Sequence, residues 1–291
     1  MLVYGDAATI EDAGDKRARI LQSVAEASAM PAGVIRHAAL VAAFIEAGEL
    51  AQGVADAAFT ERGQDGRTPA QDAAMGFLLD LAGLVRLSWD SGFRRIAPLR
   101  AAAALRGARL PDRIRVKRPE GYTFYTLYPE AYREAARGLA PERLRVVGLR
   151  SIGTGLAAMV AAAAGAPAPV TLRPVGHPFR RELALADSLR SELTADPAAR
   201  FAIVDEGPGL SGSSFGAVAD FLEDHGVAPE RIRFFPGHVG DLGSEAVGVG
   251  PRRGLGPRGA GEDDRRRGDG GEQTVEGRSR HPTEYPSAAN R

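Results

Sequence analysis

Apolar residues recur at helical spacing through the first 120 residues. Between Asp15 and Ala29, Ile20, Leu21 and Val24 fall on one helical face, and after Pro31 the residues Val34, Ile35, Leu40, Val41, Phe44 and Ile45 mark a second helix. Thr68-Pro69-Ala-Gln-Asp72 combines an N-cap, a proline at the first helical position and an acid in the first turn, which predicts a helix through Met75 to Leu87. A shorter helix is expected from Pro98 to Leu105. Residues 1–120 thus read as an all-α N-terminal domain in which no binding or catalytic chemistry is visible.

The pattern then changes. Tyr122 to Leu127 alternates as a strand would, and Pro129 to Arg137 has helical spacing. This segment holds Tyr122, Tyr125, Tyr128 and Tyr132, a cluster suited to packing a domain seam or to stacking on a nucleobase. Apolar runs near 143–149, 170–175, 201–205 and 231–236 alternate with helical stretches. That order predicts an α/β domain over 121–246 with a mostly parallel sheet, its site built from loops at the strand C-termini. From 247 to 291 glycine, arginine, proline and acids dominate, and aliphatic residues nearly vanish, so this tail is expected to be disordered.

The densest chemistry lies in Phe201-Ala-Ile-Val-Asp205-Glu206-Gly-Pro-Gly209-Leu210-Ser211-Gly212-Ser213-Ser214-Phe215. A buried strand ends in two carboxylates, and a Gly/Ser turn follows before a helix. Backbone N–H groups and a helix N-terminus at one point attract phosphate, whereas the paired acids suit hydroxyls or a divalent cation. A ribose 5-phosphate satisfies both halves. A second strand, Arg143 to Leu149, leads into Arg150-Ser151-Ile152-Gly153-Thr154-Gly155 and the Ala-rich run that follows, again as strand, small-residue turn and helix. Between the two lies Thr171 to Leu183, in which Gly176-His177-Pro178 breaks two extended runs and predicts a hairpin or mobile loop.

The acidic pair and the turn after it resemble the 5-phosphoribosyl-diphosphate (PRPP) binding motif of type I phosphoribosyltransferases. The resemblance covers the α/β part and not the helical one. Glu206 stands where the family usually has Asp, and Gly207-Pro208 replaces two aliphatic residues. The resemblance implies that Asp205 and Glu206 hold the ribose hydroxyls and that Gly209, Leu210, Ser211, Gly212 and Ser213 wrap the 5-phosphate. It further implies that Arg150, Ser151, Ile152, Gly153 and Thr154 carry the diphosphate. The stretch Thr171 to Leu183 would be the flexible loop that closes over PRPP, with His177, Arg180 or Arg181 as its basic residue. The implied reaction is attack of a nitrogenous base on C1 of PRPP with loss of diphosphate, and Mg²⁺ carried by PRPP near Asp205 and Glu206. A non-catalytic relative that senses PRPP or a nucleotide, and an inactive interaction protein, remain alternatives. A homodimer stays open.

Composition narrows the surroundings. The 37 basic and 37 acidic residues balance, so no global electrostatic argument favours nucleic acid or an anionic membrane. Absence of cysteine excludes disulfides, thiolate zinc sites and a cysteine nucleophile. His37, His177, His225, His238 and His281 lack metal-ligand spacing. The first 15 residues are polar and acidic, and no apolar run is expected to approach membrane-spanning length. A cytoplasmic location is expected.

Overall fold

The computed structural model describes residues 8–117, 120–124, 126–207 and 211–237, apart from the side chains of 120 and 124. The tail expected over 247–291, and the loop residues Pro208, Gly209 and Leu210, lie outside the described residues. The first described element is a strand the hydrophobic pattern did not predict, β1 (Ala8–Asp12), followed by α1 (Ala13–Ala29). Asp12 caps α1, its Oδ1 accepting from the Asp15 N–H at 2.9 Å. Next come α2 (Val34–Arg62) and α3 (Pro69–Asp90). The expected cap of α3 is present: Thr68 Oγ1 accepts from the Gln71 N–H at 3.1 Å, with Pro69 in the first turn. After α4 (Ala102–Gly107), β2 (Arg113–Lys117) returns antiparallel to β1 with Ile10 opposite Arg115.

The most apolar window of α2 has a mean hydropathy of 1.4, which with its 29 residues is long and apolar enough to cross a membrane. This corrects the expectation that no apolar run approaches that length. Within the fold 61% of that window is buried, with Leu40, Phe44, Leu50 and Val54 in the same hydrophobic cluster as residues of α1 and α3.

The segment 120–135 departs from the alternating pattern. It forms α5 (Glu120–Phe124) rather than a strand, then α6 (Pro129–Ala135) as expected. The turn between them closes locally, with the Leu127 N–H bonded to the Gly121 carbonyl at 3.1 Å.

The α/β part contains β3 (Leu144–Leu149), α7 (Gly153–Ala164), β4 (Val170–Leu172), β5 (Pro174–His177), β6 (Arg180–Leu183), α8 (Asp187–Thr194), β7 (Arg200–Val204), α9 (Ser213–Asp224) and β8 (Ile232–Phe235). Four strands form one parallel sheet in the order β4-β3-β7-β8. β5 and β6 make a separate antiparallel hairpin where a hairpin was expected. The sheet strands are nearly continuous apolar runs because both faces are covered. On one face Val146, Ala202, Val204 and Phe235 join α7 and the α1–α3 helices in a single cluster. On the other, Val147, Phe201, Ile203 and Phe234 pack against Leu189 of α8 and Phe215 and Leu222 of α9. The core therefore runs without a break across residue 120. The Ala-rich composition of α7 lets it lie flat between the sheet and α3, since small side chains permit close approach of both neighbours.

Candidate functional site

Because β3 and β7 are adjacent and parallel, their following loops open at the same edge of the sheet, where ligands of open α/β sheets bind. The loops touch. A Cβ at Gly153 would stand 2.6 Å from the Val204 carbonyl oxygen and 3.5 Å from Asp205 Oδ1. Only glycine lets the first turn of α7 lie against the end of β7, so Gly153 brings the two sequence-predicted turns into one site.

Asp205 sits at this junction. Its N–H donates to the Phe235 carbonyl at 3.2 Å and its own carbonyl accepts from the Tyr132 hydroxyl at 2.7 Å, which fix the backbone. Its Oδ1 accepts from the Glu206 N–H at 2.9 Å. Burial pushes the Asp205 carboxyl from 3.8 up to about 8, and the Glu206 carboxylate adds to the rise. The Glu206 N–H and the charges of Lys117 and Arg173 act in the opposite sense. Taken whole, the residue is half-buried. The site thus holds an acid pair opposed by two cations, and one acid of the pair carries its proton near neutral pH.

Of the second turn, Ser211, Gly212 and Ser213 are described. Gly212 has φ 66°, a left-handed conformation that turns the chain into α9. The hydroxyls of Ser211 and Ser213 lie 2.9 Å apart and both donate to the Pro178 carbonyl, Ser211 at 2.7 Å and Ser213 at 2.5 Å. Pro178 is the tip of the β5–β6 hairpin, so the expected mobile loop is seated on the expected phosphate turn. Arg181 braces this hairpin by donating to the Gly176 carbonyl at 2.8 Å, while Arg180 and His177 are exposed.

Arg150 is placed differently from the expectation. Its guanidinium is fully buried and bonded inside the protein: Nε to Asp56 Oδ1 at 2.8 Å, one terminal nitrogen to Asp65, the other to the Thr171 carbonyl at 2.9 Å. Its face lies over the Phe59 ring, 5.7 Å from the centroid. Arg173 shares the network through Asp56, and its N–H donates to Asp65 Oδ2 at 2.7 Å. Burial raises the Asp65 carboxyl, with the Arg150 charge opposing it. Arg150 therefore anchors the loop to α2 and to the turn before α3, and cannot also meet a diphosphate from this position. Ser151 and Ile152 border a small cavity of about 10 Å³, room for about one water, together with Gln52, Lys117, Tyr122 and Gly155. The Thr154 hydroxyl is buried and has no hydrogen-bond partner among the described residues. The Arg150–Ser151 peptide is cis.

Lys117 and Arg173, which oppose the charge of Asp205, were not singled out by the sequence. Both are distant from the acidic pair along the chain, and Lys117 lies in the part read as devoid of chemistry. Tyr122, expected on a strand, instead projects from α5 into the same cavity, its hydroxyl buried among Glu130 and Glu206 so that ionisation is strongly disfavoured.

A second constellation catches the eye. His37 lies between Ser88 Oγ at 3.0 Å and Glu130 Oε1 at 2.8 Å, the order of a Ser–His–acid relay. Ser88 is fully buried and the ring is packed by Trp89 and Phe93. No substrate reaches that hydroxyl, so the triplet clamps α2, α3 and α6 together.

Among the described residues no group of three or more His, Cys, Asp or Glu side chains could hold a metal ion. Comparison with protein-family models, with curated proteins and with solved structures finds no match to this chain.

Proposed function

We infer that the protein is a phosphoribosyltransferase-like protein that binds PRPP at the joined loops after β3 and β7 and transfers its phosphoribosyl group to a nitrogenous base. The observation that carries this reading is the contact of Gly153 with Val204 and Asp205, which merges two phosphate-type turns around an acid pair. In this reading Asp205 and Glu206 take the ribose hydroxyls, and Ser211 to Ser213 with the start of α9 take the 5-phosphate. The backbone of Ser151 to Thr154 takes the diphosphate. Lys117 and Arg173, rather than Arg150, supply the positive charge beside it.

Mg²⁺ would arrive with the diphosphate, since a magnesium ion needs only one or two carboxylates in addition to phosphate oxygens. Asp205 and Glu206, adjacent at the end of β7, would supply those carboxylates, although one Glu206 oxygen is buried and directed toward Gly121. The ion would offset charge on the departing diphosphate. The protein's own contribution is positioning, exclusion of water and a field that favours negative charge on the leaving group. The hairpin must lift at Pro178 to free the Ser211 and Ser213 protons for phosphate, then close again with Arg180 over the ligand.

The seated hairpin gives specific support to the binding-only reading as well, because it represents a state with the phosphate turn covered. Incubation with PRPP, Mg²⁺ and a panel of nitrogenous bases separates the two. Release of diphosphate with any base supports transfer. Thermal stabilisation by PRPP without turnover supports a sensor, and neither response contradicts both.

A further inference from the structure

A cleft of about 760 Å³ opens between the β1–β2 ribbon, α2 and β5. Strand β2, Arg113-Ile-Arg-Val-Lys117, buries Ile114 and Val116 and turns Arg113, Arg115 and Lys117 to the opposite face. These three and Arg173 line the cleft, against two acids, Asp56 and Glu61. Asp56 is already paired with Arg150 and Arg173, so the lining presents net positive charge. Ile10, 55% exposed and directly opposite Arg115, supplies an apolar floor with Val175. Lys117 and Gln52 also line the cavity beside Ser151, so the cleft and the loop after β3 share a wall.

We propose that this cleft binds a small organic polyanion, a molecule with an apolar body and two or more carboxylate or phosphate groups, and that this is the acceptor whose nitrogen meets PRPP. The volume suits a small ligand, for which clefts of roughly 300–1,000 Å³ are usual. Arginine forks pair with carboxylate and phosphate in bidentate fashion, and successive outward residues on a strand stand about 7 Å apart, so one ligand can engage two of them. A nucleic-acid strand fits less well. Phe59 is the one aromatic side chain among the described residues lining the cleft, and Arg150 lies over one of its faces, so a row of stacked bases has no series of platforms.

The acceptor role rests on the function proposed above, whereas the anion site does not, and the test separates them. The full-length chain is titrated calorimetrically, at constant ionic strength, with citrate and with trimesate, a benzene ring bearing three carboxylates. At least one should bind, and the exposed double variant Arg113→Gln/Arg115→Gln should weaken it about tenfold or more. Stabilisation by PRPP with Mg²⁺ should persist in that variant, and Asp205→Asn should leave citrate or trimesate affinity unchanged. Failure of both probes to bind, or equal affinity in the double variant, overturns the site. Binding of a short oligothymidylate that is lost in the double variant, without binding of either probe, overturns the small-molecule form in favour of a nucleic-acid surface. Polyanion binding without any response to PRPP sinks the proposed transferase while leaving the site standing. Loss of affinity alongside a changed circular dichroism spectrum would be checked with Arg115→Lys, which retains charge and should retain binding; if it folds and does not bind more tightly than the double variant, charge is not the cause and the proposal falls.

Discussion

Replacing Asp205 by Asn should stabilise the ligand-free protein while damaging its binding. In an unfolded chain an aspartate titrates near ~3.9, whereas in the fold burial carries Asp205 up to about 8. Between those values the folded state retains a proton that the unfolded state has released, so this group lowers stability as pH rises from about 4 to about 8 and adds nothing further beyond. At about 1.4 kcal/mol per unit the ceiling is near 6 kcal/mol, and because the residue as a whole is only half-buried we expect about 1–3 kcal/mol. Asn preserves the oxygen that accepts from the Glu206 N–H and never ionises. The melting temperatures of variant and wild type should coincide near pH 4 and diverge with rising pH. By pH 8 the variant should melt higher by about 2–12 °C, using about 2–4 °C per kcal/mol for a fold of this size. Differential scanning calorimetry across that range measures it. A variant that is less stable at pH 8, or a difference independent of pH, would refute the buried-acid argument.

Three further outcomes follow from the same geometry. Arg150→Met should lower stability by about 3–5 kcal/mol by leaving Asp65 buried without its cation; a change in melting temperature below about 1 °C would restore Arg150 as a ligand-facing residue. Gly153→Ala should cost about 1–3 kcal/mol, because its Cβ meets the Val204 carbonyl, and should weaken PRPP binding by separating the two loops; urea denaturation with a PRPP titration checks both. Gly212→Ala should cost about 1–2 kcal/mol from the left-handed φ of 66° at the start of α9, and unchanged denaturation would contradict that assignment of the turn.

What could be read from the sequence, and what could not, divides by the range of the interaction. β3, β7 and β8 were visible as short apolar runs, and the cap of α3 as Thr68-Pro69, because each signal lies within a few neighbouring residues. The acidic pair and the glycines of both turns were legible for the same reason. The role of Arg150 was not, since Asp65 and Asp56 lie 85 and 94 residues upstream and nothing local shows that the guanidinium turns inward. β1 and β2 were missed because a five-residue strand in a helix-rich stretch gives little periodicity. Even so, the alternation of Arg113, Ile114, Arg115, Val116 and Lys117 was a signal that could have been found. The alternation in Tyr122 to Leu127 misled: a strand needs an edge to pair with, and this segment closes on itself through Leu127 and Gly121.

The central claim is that Asp205 and the two joined turns form a phosphoribosyl-diphosphate site, and titration calorimetry of PRPP with Mg²⁺ tests it most directly. Performed at pH 7 in two buffers of different ionisation enthalpy, it should show saturable binding to the wild type with release of a proton, because the cation carried by PRPP favours the ionised form of Asp205. In Asp205→Asn the affinity should fall by about 1.5–3 kcal/mol, the range for hydrogen bonds to charged groups, and the proton release should vanish. Absence of binding to the wild type, or equal affinity and equal proton release in the variant, would contradict the account.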